Sequence, residues 1–291
     1  MDAPMRSHLY TPGHRETMVA RVIEGTVATP PDVALLDLED SVPAGEKENA
    51  RRVVSAALAR PRGVTLRFVR IGRALSDQAE ADLAAIVRPG LDGVLVPKVV
   101  RAEELAMLDE MLAARERAAG LAPGSVRVIA AIETAAALID APRIARAPRV
   151  IGLMFGSEDF AAELGLPTRR EAEAAELLYA RSAVVVAAVA AGVQAFDGIW
   201  ADFRDEAGLR DDAMRGRRLG FTGRQCIHPD QIAVVNEIFS PGADEVAHAR
   251  RVVAAYEDGV AKGLGAVALD GEMLDPPIVE RARRVLRMTR S

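Results

Sequence analysis

The feature that most limits the folds open to this chain is a rhythm. Short β-rich runs alternate with longer Ala-, Leu-, Arg- and Glu-rich segments of helical period. Eight runs read as strands, at residues 7–11, 33–38, 64–69, 93–97, 126–132, 150–155, 194–200 and 223–227. Helical segments fall at 15–25, 45–59, 77–87, 102–119, 134–141, 169–191 and 213–219, and another begins near Pro229. Runs such as Ala34-Leu35-Leu36 and Val94-Leu95-Val96 are continuously apolar, as parallel strands covered on both faces are. Strand–helix alternation requires right-handed crossovers, and eight such units close into a (β/α)8 TIM barrel. The open doubly wound sheet is the rival. It is disfavoured because no G-x-G-x-x-G follows the first strand and no phosphate-binding G-x-x-x-x-G-K-[ST] occurs. After Pro241 the pattern changes to two helices, 244–263 and 277–288, around a loop at 267–276. The expected organisation is a barrel over residues 1–240 and a C-terminal helical extension, or lid, over 241–291.

At 291 residues, 50% hydrophobic and 27% charged, the chain can bury a large core. Its formal net charge of −5 argues against a nucleic-acid surface, which needs clustered Lys and Arg. No apolar run is long enough for a membrane helix. The single cysteine, Cys226, excludes an intrachain disulfide and reads as a small core residue. Met1-Asp2-Ala3-Pro4 lacks the basic and apolar regions of a secretion signal, so the cytoplasm is the expected location.

A barrel carries its active site at the C-terminal ends of its strands. The residues expected there include His14 and Arg15, then Asp37, Glu39 and Asp40, then Arg70, Lys98 and Glu133. Glu158 and Asp159 follow, then Asp197, Asp202 and Asp205, and finally His228. Glu133 directly follows an apolar strand, and Asp159 stands one strand along. Two such carboxylates can hold Mg²⁺, which favours oxygen ligands and leaves positions for water or substrate. Alternatively, Glu133 begins or caps the next helix. Zinc is disfavoured, because no His pairs with another His or Cys at zinc spacing. His228 reads as a turn residue bonded to backbone. Strand alternation sets Arg70 on the face of Phe68, where it offers a fixed planar cation to a carboxylate or oxyanion. A salt bridge to the Asp37/Glu39/Asp40 group is the competing reading, and both can hold. The segment 169–191 fits a buried barrel helix or a subunit interface. His14 and Arg15 fit either phosphate contacts near a helix start or solvated surface.

Seven segments in order make the chain resemble the citrate lyase beta-subunit-like family of the aldolase/citrate lyase superfamily. They are Arg6-Ser7-His8-Leu9-Tyr10-Thr11-Pro12-Gly13, Leu36-Asp37-Leu38-Glu39-Asp40-Ser41-Val42-Pro43, Arg70-Ile71, Ile132-Glu133-Thr134-Ala135, Phe155-Gly156-Ser157-Glu158-Asp159-Phe160, the run from Gly220 to Pro229, and Gly271-Glu272-Met273-Leu274-Asp275. The resemblance implies a (β/α)8 barrel with a C-terminal lid, assembled as homotrimers or hexamers. It also implies Mg²⁺ and reversible carbon–carbon cleavage of a β-hydroxy acyl thioester, such as citryl-, malyl- or citramalyl-CoA. The products would be an acyl-CoA thioester and a small 2-oxo acid. By the same resemblance Glu133 and Asp159 are the metal ligands, with Glu133 also meeting substrate, and Arg70 is the substrate-binding arginine. Asp275 matches a catalytic aspartate inserted by a neighbouring subunit's lid. Glu39, Asp40 and Lys47 match a polar cluster beside the site. Gly72 departs from the Asn that relatives commonly carry, which bears on substrate preference and leaves the metal site untouched. Before two prolines, Asp275 also has the plainer reading of a helix cap. An aldolase acting on free 2-oxo acids, and a subunit that needs an acyl-carrier partner, are the competing functions.

Overall fold

In the computed structural model, which describes residues 4–167 and 174–289, the alternation resolves into a closed barrel. Its strands are β1 (Ser7–Pro12), β2 (Val33–Asp37), β3 (Leu66–Arg70), β4 (Gly93–Val96), β5 (Arg127–Ile132), β6 (Val150–Phe155), β7 (Gln194–Asp197) and β8 (Gly223–Cys226). Each pairs in parallel with its neighbour in sequence, and β8 pairs back onto β1. The helices between them are α1 (Glu16–Ile23), α2 (Lys47–Leu58), α3 (Asp77–Ile86), α4 (Ala102–Ala118), α5 (Ala135–Ile144), α6 (Ser157–Glu163), α7 (Leu178–Ala191) and α8 (Glu206–Leu219), followed by α9 (Gln231–Ile238). The architecture is the (β/α)8 TIM barrel that the rhythm implies. Among the described residues, no helix is long and apolar enough to cross a membrane.

The barrel interior is filled by alternate strand residues, among them Val33, Leu35, Phe68, Leu95, Ile129, Ala131, Met154 and Phe196. Glycines make room for the largest of these. A Cβ at Gly93 would lie 2.3 Å from Phe68, and one at Gly152 would lie 2.5 Å from Phe196. Moving two residues on from the interior positions reaches the C-terminal rim. Leu35 leads to Asp37, Phe68 to Arg70, Ala131 to Glu133 and Met154 to Gly156. The packing period therefore places charge at the mouth.

Several boundaries differ from the sequence reading. The third strand starts at Leu66, leaving Val64 91% exposed before it. The seventh ends at Asp197, where a Cβ on the next residue, Gly198, would meet Ser157 Oγ at 2.3 Å. Helix α5 continues through Pro142 to Ile144. Helix α8 starts at Glu206, capped by Asp205, whose side chain accepts from the Gly208 amide. Its inner face is Leu209, Asp212, Ala213 and Gly216, so a buried acid interrupts the apolar period. Helix α6 is an element that the sequence reading lacks, and α7 begins at Leu178; residues 169–173 of the expected 169–191 helix lie outside the described residues.

The chain divides into two compact units, Met5–Asn236 and a second that runs from Glu237 towards the C-terminus. The second contains α10 (Ala243–Ala261), a hairpin of β9 (Val267–Leu269) and β10 (Glu272–Leu274), and α11 (Pro276–Met288). Ala249, Val252, Leu274, Val279 and Ala282 form its core. The hairpin replaces the loop expected there. Asp270 and Gly271 both have positive φ, 53° and 88°, as a two-residue Asp-Gly turn between antiparallel strands requires.

Candidate active site at the barrel mouth

Arg70, the last residue of β3, is clamped from the adjacent strand. Its Nε donates to Asp37 Oδ1 at 2.7 Å and its Nη2 to Asp37 Oδ2 at 2.6 Å, a two-point pairing of planar groups. Nη1 lies 3.1 Å from Glu39 Oε2. Asp37 also accepts from the amides of Glu39 and Ser41. Burial alone would raise the Asp37 carboxyl, but Arg70 and these amides outweigh it and hold the group below the ordinary carboxylate range. Burial weighs against the Arg70 charge in the same way, and the surrounding acids more than restore it. The salt-bridge reading of Arg70 is thus realised, and the pairing turns the guanidinium into a fixed fixture of the mouth.

Lys98 follows β4 with φ +52°, in the left-handed region that non-glycine residues rarely occupy. Its backbone amide donates to Glu133 Oε1 at 2.5 Å, and its Nζ donates to Glu39 Oε1 at 2.7 Å. The Nζ also lies 3.4 Å from Asp40. Lys47, at the start of α2, donates to the carbonyls of Leu38 and Glu39, at 2.8 and 2.6 Å. The Glu39/Asp40/Lys47 cluster is therefore a single bonded group that backs Arg70.

Glu133 is 6% exposed. It is not the helix cap, because Thr134 takes that place and accepts from the Ala137 amide at 3.1 Å. Its carboxyl is pushed up to about 7, first by burial and then by the charge of Asp159, against the single amide bond from Lys98. Asp159 is exposed in the first turn of α6 and belongs to this electrostatic group. Between the two stands Gly156. A Cβ there would lie 2.4 Å from Glu133 Cβ and 2.5 Å from its Oε2, so only glycine lets β6 turn past the carboxylate.

The structure brings Arg70, Glu133 and Asp159 to one mouth. Asp275 lies in the second unit as the cap of α11, with Oδ1 accepting from the Ile278 amide at 3.0 Å. Other expected rim residues have structural duties. Asp197 is buried in a closed ion network, Asp205 caps α8, and His228 Nδ1 accepts from the Asp230 amide while its ring stacks on Phe203 at 4.8 Å. Cys226 is fully buried. At Gly72 the space a side chain would use is taken by Gln78, whose Cγ would lie 2.8 Å from an added Cβ and whose amide donates to Leu38 O. Tyr10 and Gln225, to which the sequence reading gives no role, also belong to this mouth. Tyr10's ring lies under Arg70, 4.7 Å from Cζ to centroid, and its hydroxyl donates to Gln225 at 2.9 Å.

Mg²⁺ suits this group. Its ligands would be the hard oxygens of Glu133 and Asp159; burial first and the charge of Asp159 second raise the Glu133 carboxyl, and a bound dication would offset both. Among the described residues no three acidic, His or Cys side chains converge as a complete cage. Two protein carboxylates with positions left for water or substrate is how Mg²⁺ is commonly held.

Comparison with known proteins identifies the family. A sequence model of the HpcH/HpaI aldolase/citrate lyase family matches residues 6–229. Citrate lyase subunit beta of Escherichia coli (strain K12) is 40% identical over 284 residues, covering 97% of this chain and 92% of the relative. The mitochondrial citramalyl-CoA lyase of Homo sapiens is 33% identical over 300 residues, covering 99% of this chain and 86% of the relative. The crystal structure of the protein CitE from Mycobacterium tuberculosis in complex with magnesium, acetoacetate and coenzyme A superimposes with a TM-score of 0.80 at 32% identity, covering 100% of both chains. The barrel, its charged mouth and these likenesses together place the chain in the HpcH/HpaI aldolase/citrate lyase family.

Proposed function

We propose that this protein is a Mg²⁺-dependent carbon–carbon lyase. It cleaves a β-hydroxy acyl-CoA thioester to an acyl-CoA thioester and a 2-oxo acid, or forms it in reverse. The observation that carries this reading is the carboxylate pair, Glu133 with Asp159, beside a locked arginine at a mouth with more acids than cations. The relatives' activities and ligands, a citramalyl-CoA lyase and a CitE with magnesium and coenzyme A, support the same substrate class.

When bound, Mg²⁺ would polarise the carboxylate and carbonyl (or hydroxyl) oxygens of the 2-oxo acid portion as a Lewis acid. Glu133 and Asp159 would hold it, and the Lys98 amide fixes the position of Glu133. In cleavage the β-hydroxyl loses its proton, the bond between the α- and β-carbons breaks, and its electron pair passes to the thioester as an enolate. The α-carbon then takes up a proton, so that one thioester yields one shorter thioester and one 2-oxo acid. Arg70 stabilises the negative charge on oxygen during this transfer, and its pairing with Asp37 aims it without reorganisation. Asp275 is the acid or base at the α-carbon, supplied by the C-terminal lid of a neighbouring subunit in a homotrimer or hexamer.

The test is direct. Purified protein is incubated with citryl-, malyl- and citramalyl-CoA, with Mg²⁺ and with chelator, and release of oxaloacetate, glyoxylate or pyruvate is followed. Mg²⁺-dependent release from at least one thioester is expected. Cleavage of free hydroxy acids alone would contradict the thioester reading in favour of a free-acid aldolase. Activity only when an acyl-carrier protein is added would transfer the thioester to that partner.

A further inference from the structure

The mouth contains a neutral strap that the proposed chemistry does not use. Tyr10 projects into the barrel from β1, its ring lying beneath the Arg70 guanidinium at a distance suited to cation–π attraction. The Tyr10 hydroxyl is 2.9 Å from Gln225 Oε1 on β8. Gln225 is 5% exposed, and its Nε2 donates to Phe155 O at 2.8 Å and to Asp197 O at 3.1 Å. Chemistry fixes the direction of every bond. Two backbone carbonyls can only accept, so the amide nitrogen must face them and the amide oxygen must face the phenol. Tyr10 is therefore always the donor, and burial keeps it protonated by pushing its phenol up.

The connection spans strands that do not touch. Phe155 ends β6, and β7 and β8 separate β6 from β1. Phe155 also immediately precedes Gly156 and the turn that begins α6 with Asp159. One glutamine thus joins the support under Arg70 to the start of the segment that carries Asp159. We propose that Tyr10 and Gln225 are positioning residues that hold Arg70 and the Asp159 turn in one frame across the barrel mouth. This inference rests on reading Arg70 and Asp159 as site residues. Neither strap residue need touch substrate.

The experiment compares Tyr10→Phe, Tyr10→Leu, Gln225→Met and the double variant Tyr10→Phe/Gln225→Met with the wild-type protein. Tyr10→Phe keeps the ring under Arg70 and removes only the donor, so it remains informative if the others fold poorly. With whichever CoA thioester the wild type cleaves, kcat is expected to fall about tenfold in Tyr10→Phe and Gln225→Met and about a hundredfold in Tyr10→Leu, while KM stays within about threefold. The double variant is expected to be no slower than either single one, because both cut the same strap. A second readout does not need turnover. In a ¹⁵N-resolved NMR spectrum of arginine side chains, the Arg70 Nε–H signal (identified by its loss in Arg70→Lys) is expected to move in Tyr10→Phe and to broaden or vanish in Tyr10→Leu. A wild-type protein that cleaves no thioester would defeat the lyase reading while leaving this spectral test standing. An unmoved Arg70 signal in Tyr10→Phe and Tyr10→Leu would overturn the strap, as would wild-type kcat in Tyr10→Phe and Gln225→Met, or losses that multiply in the double variant.

Discussion

Two groups of charge lie towards the C-terminal side of this barrel, and they are built on opposite plans. One joins Arg181 of α7, Asp197 of β7, Asp212 of α8 and Arg224 of β8. Arg181 Nη1 donates to Asp212 Oδ1 at 2.9 Å, Arg224 Nη2 donates to Asp212 Oδ2 at 2.5 Å, and Arg181 pairs with Asp197 through Nε and Nη2. All four residues are buried, two cations face two anions, and Gly216 leaves no room for a methyl beside Asp197 Oδ2. The other group is the mouth, where Asp37, Glu39, Asp40, Glu133 and Asp159 face Arg70, Lys47 and Lys98. The closed network is balanced in charge, two arginines against two aspartates, with only Arg224 Nε left without a hydrogen-bond partner, and it fixes β7 and β8 against their helices. The mouth has acid to spare, concentrated at Glu133. Clustered charge therefore means different things in the two places, and the excess of acid over cation is what marks the mouth as a place for a ligand.

Asp275 tests on which side of this comparison a residue of the second unit falls. As a cap it serves structure, and as an acid–base group it would serve the mouth. Asparagine also caps helices well, so Asp275→Asn should leave the unfolding free energy within about 0.5 kcal/mol while lowering kcat by about 10²–10⁴. Recovered activity on mixing Asp275→Asn with Glu133→Ala protomers would support donation between subunits. Full activity in Asp275→Asn would remove the residue from the chemistry.

Breaking the closed network should do the reverse. Asp212→Ala leaves buried arginine charge uncompensated and should cost about 3–5 kcal/mol in urea unfolding, with kcat per folded molecule preserved. The pH dependence separates the two plans as well. Asp212 and Asp37 have lowered carboxyls, so their contribution is present above the unfolded value and is lost as pH falls through the folded one. Glu133 is raised from 4.5 to about 7, so its contribution is full below 4.5 and is lost as pH rises through about 7. In chelator, Glu133→Gln should therefore gain on the wild type between pH 5 and pH 8 by up to about 3 kcal/mol, measured by urea unfolding at both values. The smallest effect expected is at Gly72. Gly72→Asn must displace Gln78 from its bond to Leu38 O, for a loss of about 1 kcal/mol, and should shift preference among the three thioesters by less than about tenfold. Gln78→Ala in the same background should relieve the crowding.

The barrel was legible because its signal is repetitive. Eight apolar runs at helical intervals admit few closures, and the same alternation that buries Leu35, Phe68 and Ala131 carries Asp37, Arg70 and Glu133 to the rim. The charged residues of the mouth could be named for that reason. The strap could not, because Tyr10 and Gln225 sit inside β-rich runs and look like strand filler until the distance between β1 and β8 is known. Asp197 misled in the other direction, since its partner Arg181 lies 16 residues away on α7 and pairs with it inside the wall. Asp212 hid the first half of α8 by placing a charge on the buried face. The Asp270-Gly271 hairpin was readable in principle, because both residues tolerate positive φ. Its three-residue strands are too short to show alternation.

The central claim is that the mouth holds a dication through Glu133 while the closed network holds none. It is tested most directly by calorimetric titration of Mg²⁺ into the wild type, Glu133→Gln and Asp212→Asn at pH 8, with the wild type repeated at pH 6. Saturable binding is expected in the wild type and in folded Asp212→Asn, none in Glu133→Gln, and weaker wild-type binding at pH 6 as Glu133 takes up a proton. Equal Mg²⁺ affinity in Glu133→Gln and the wild type would contradict the claim.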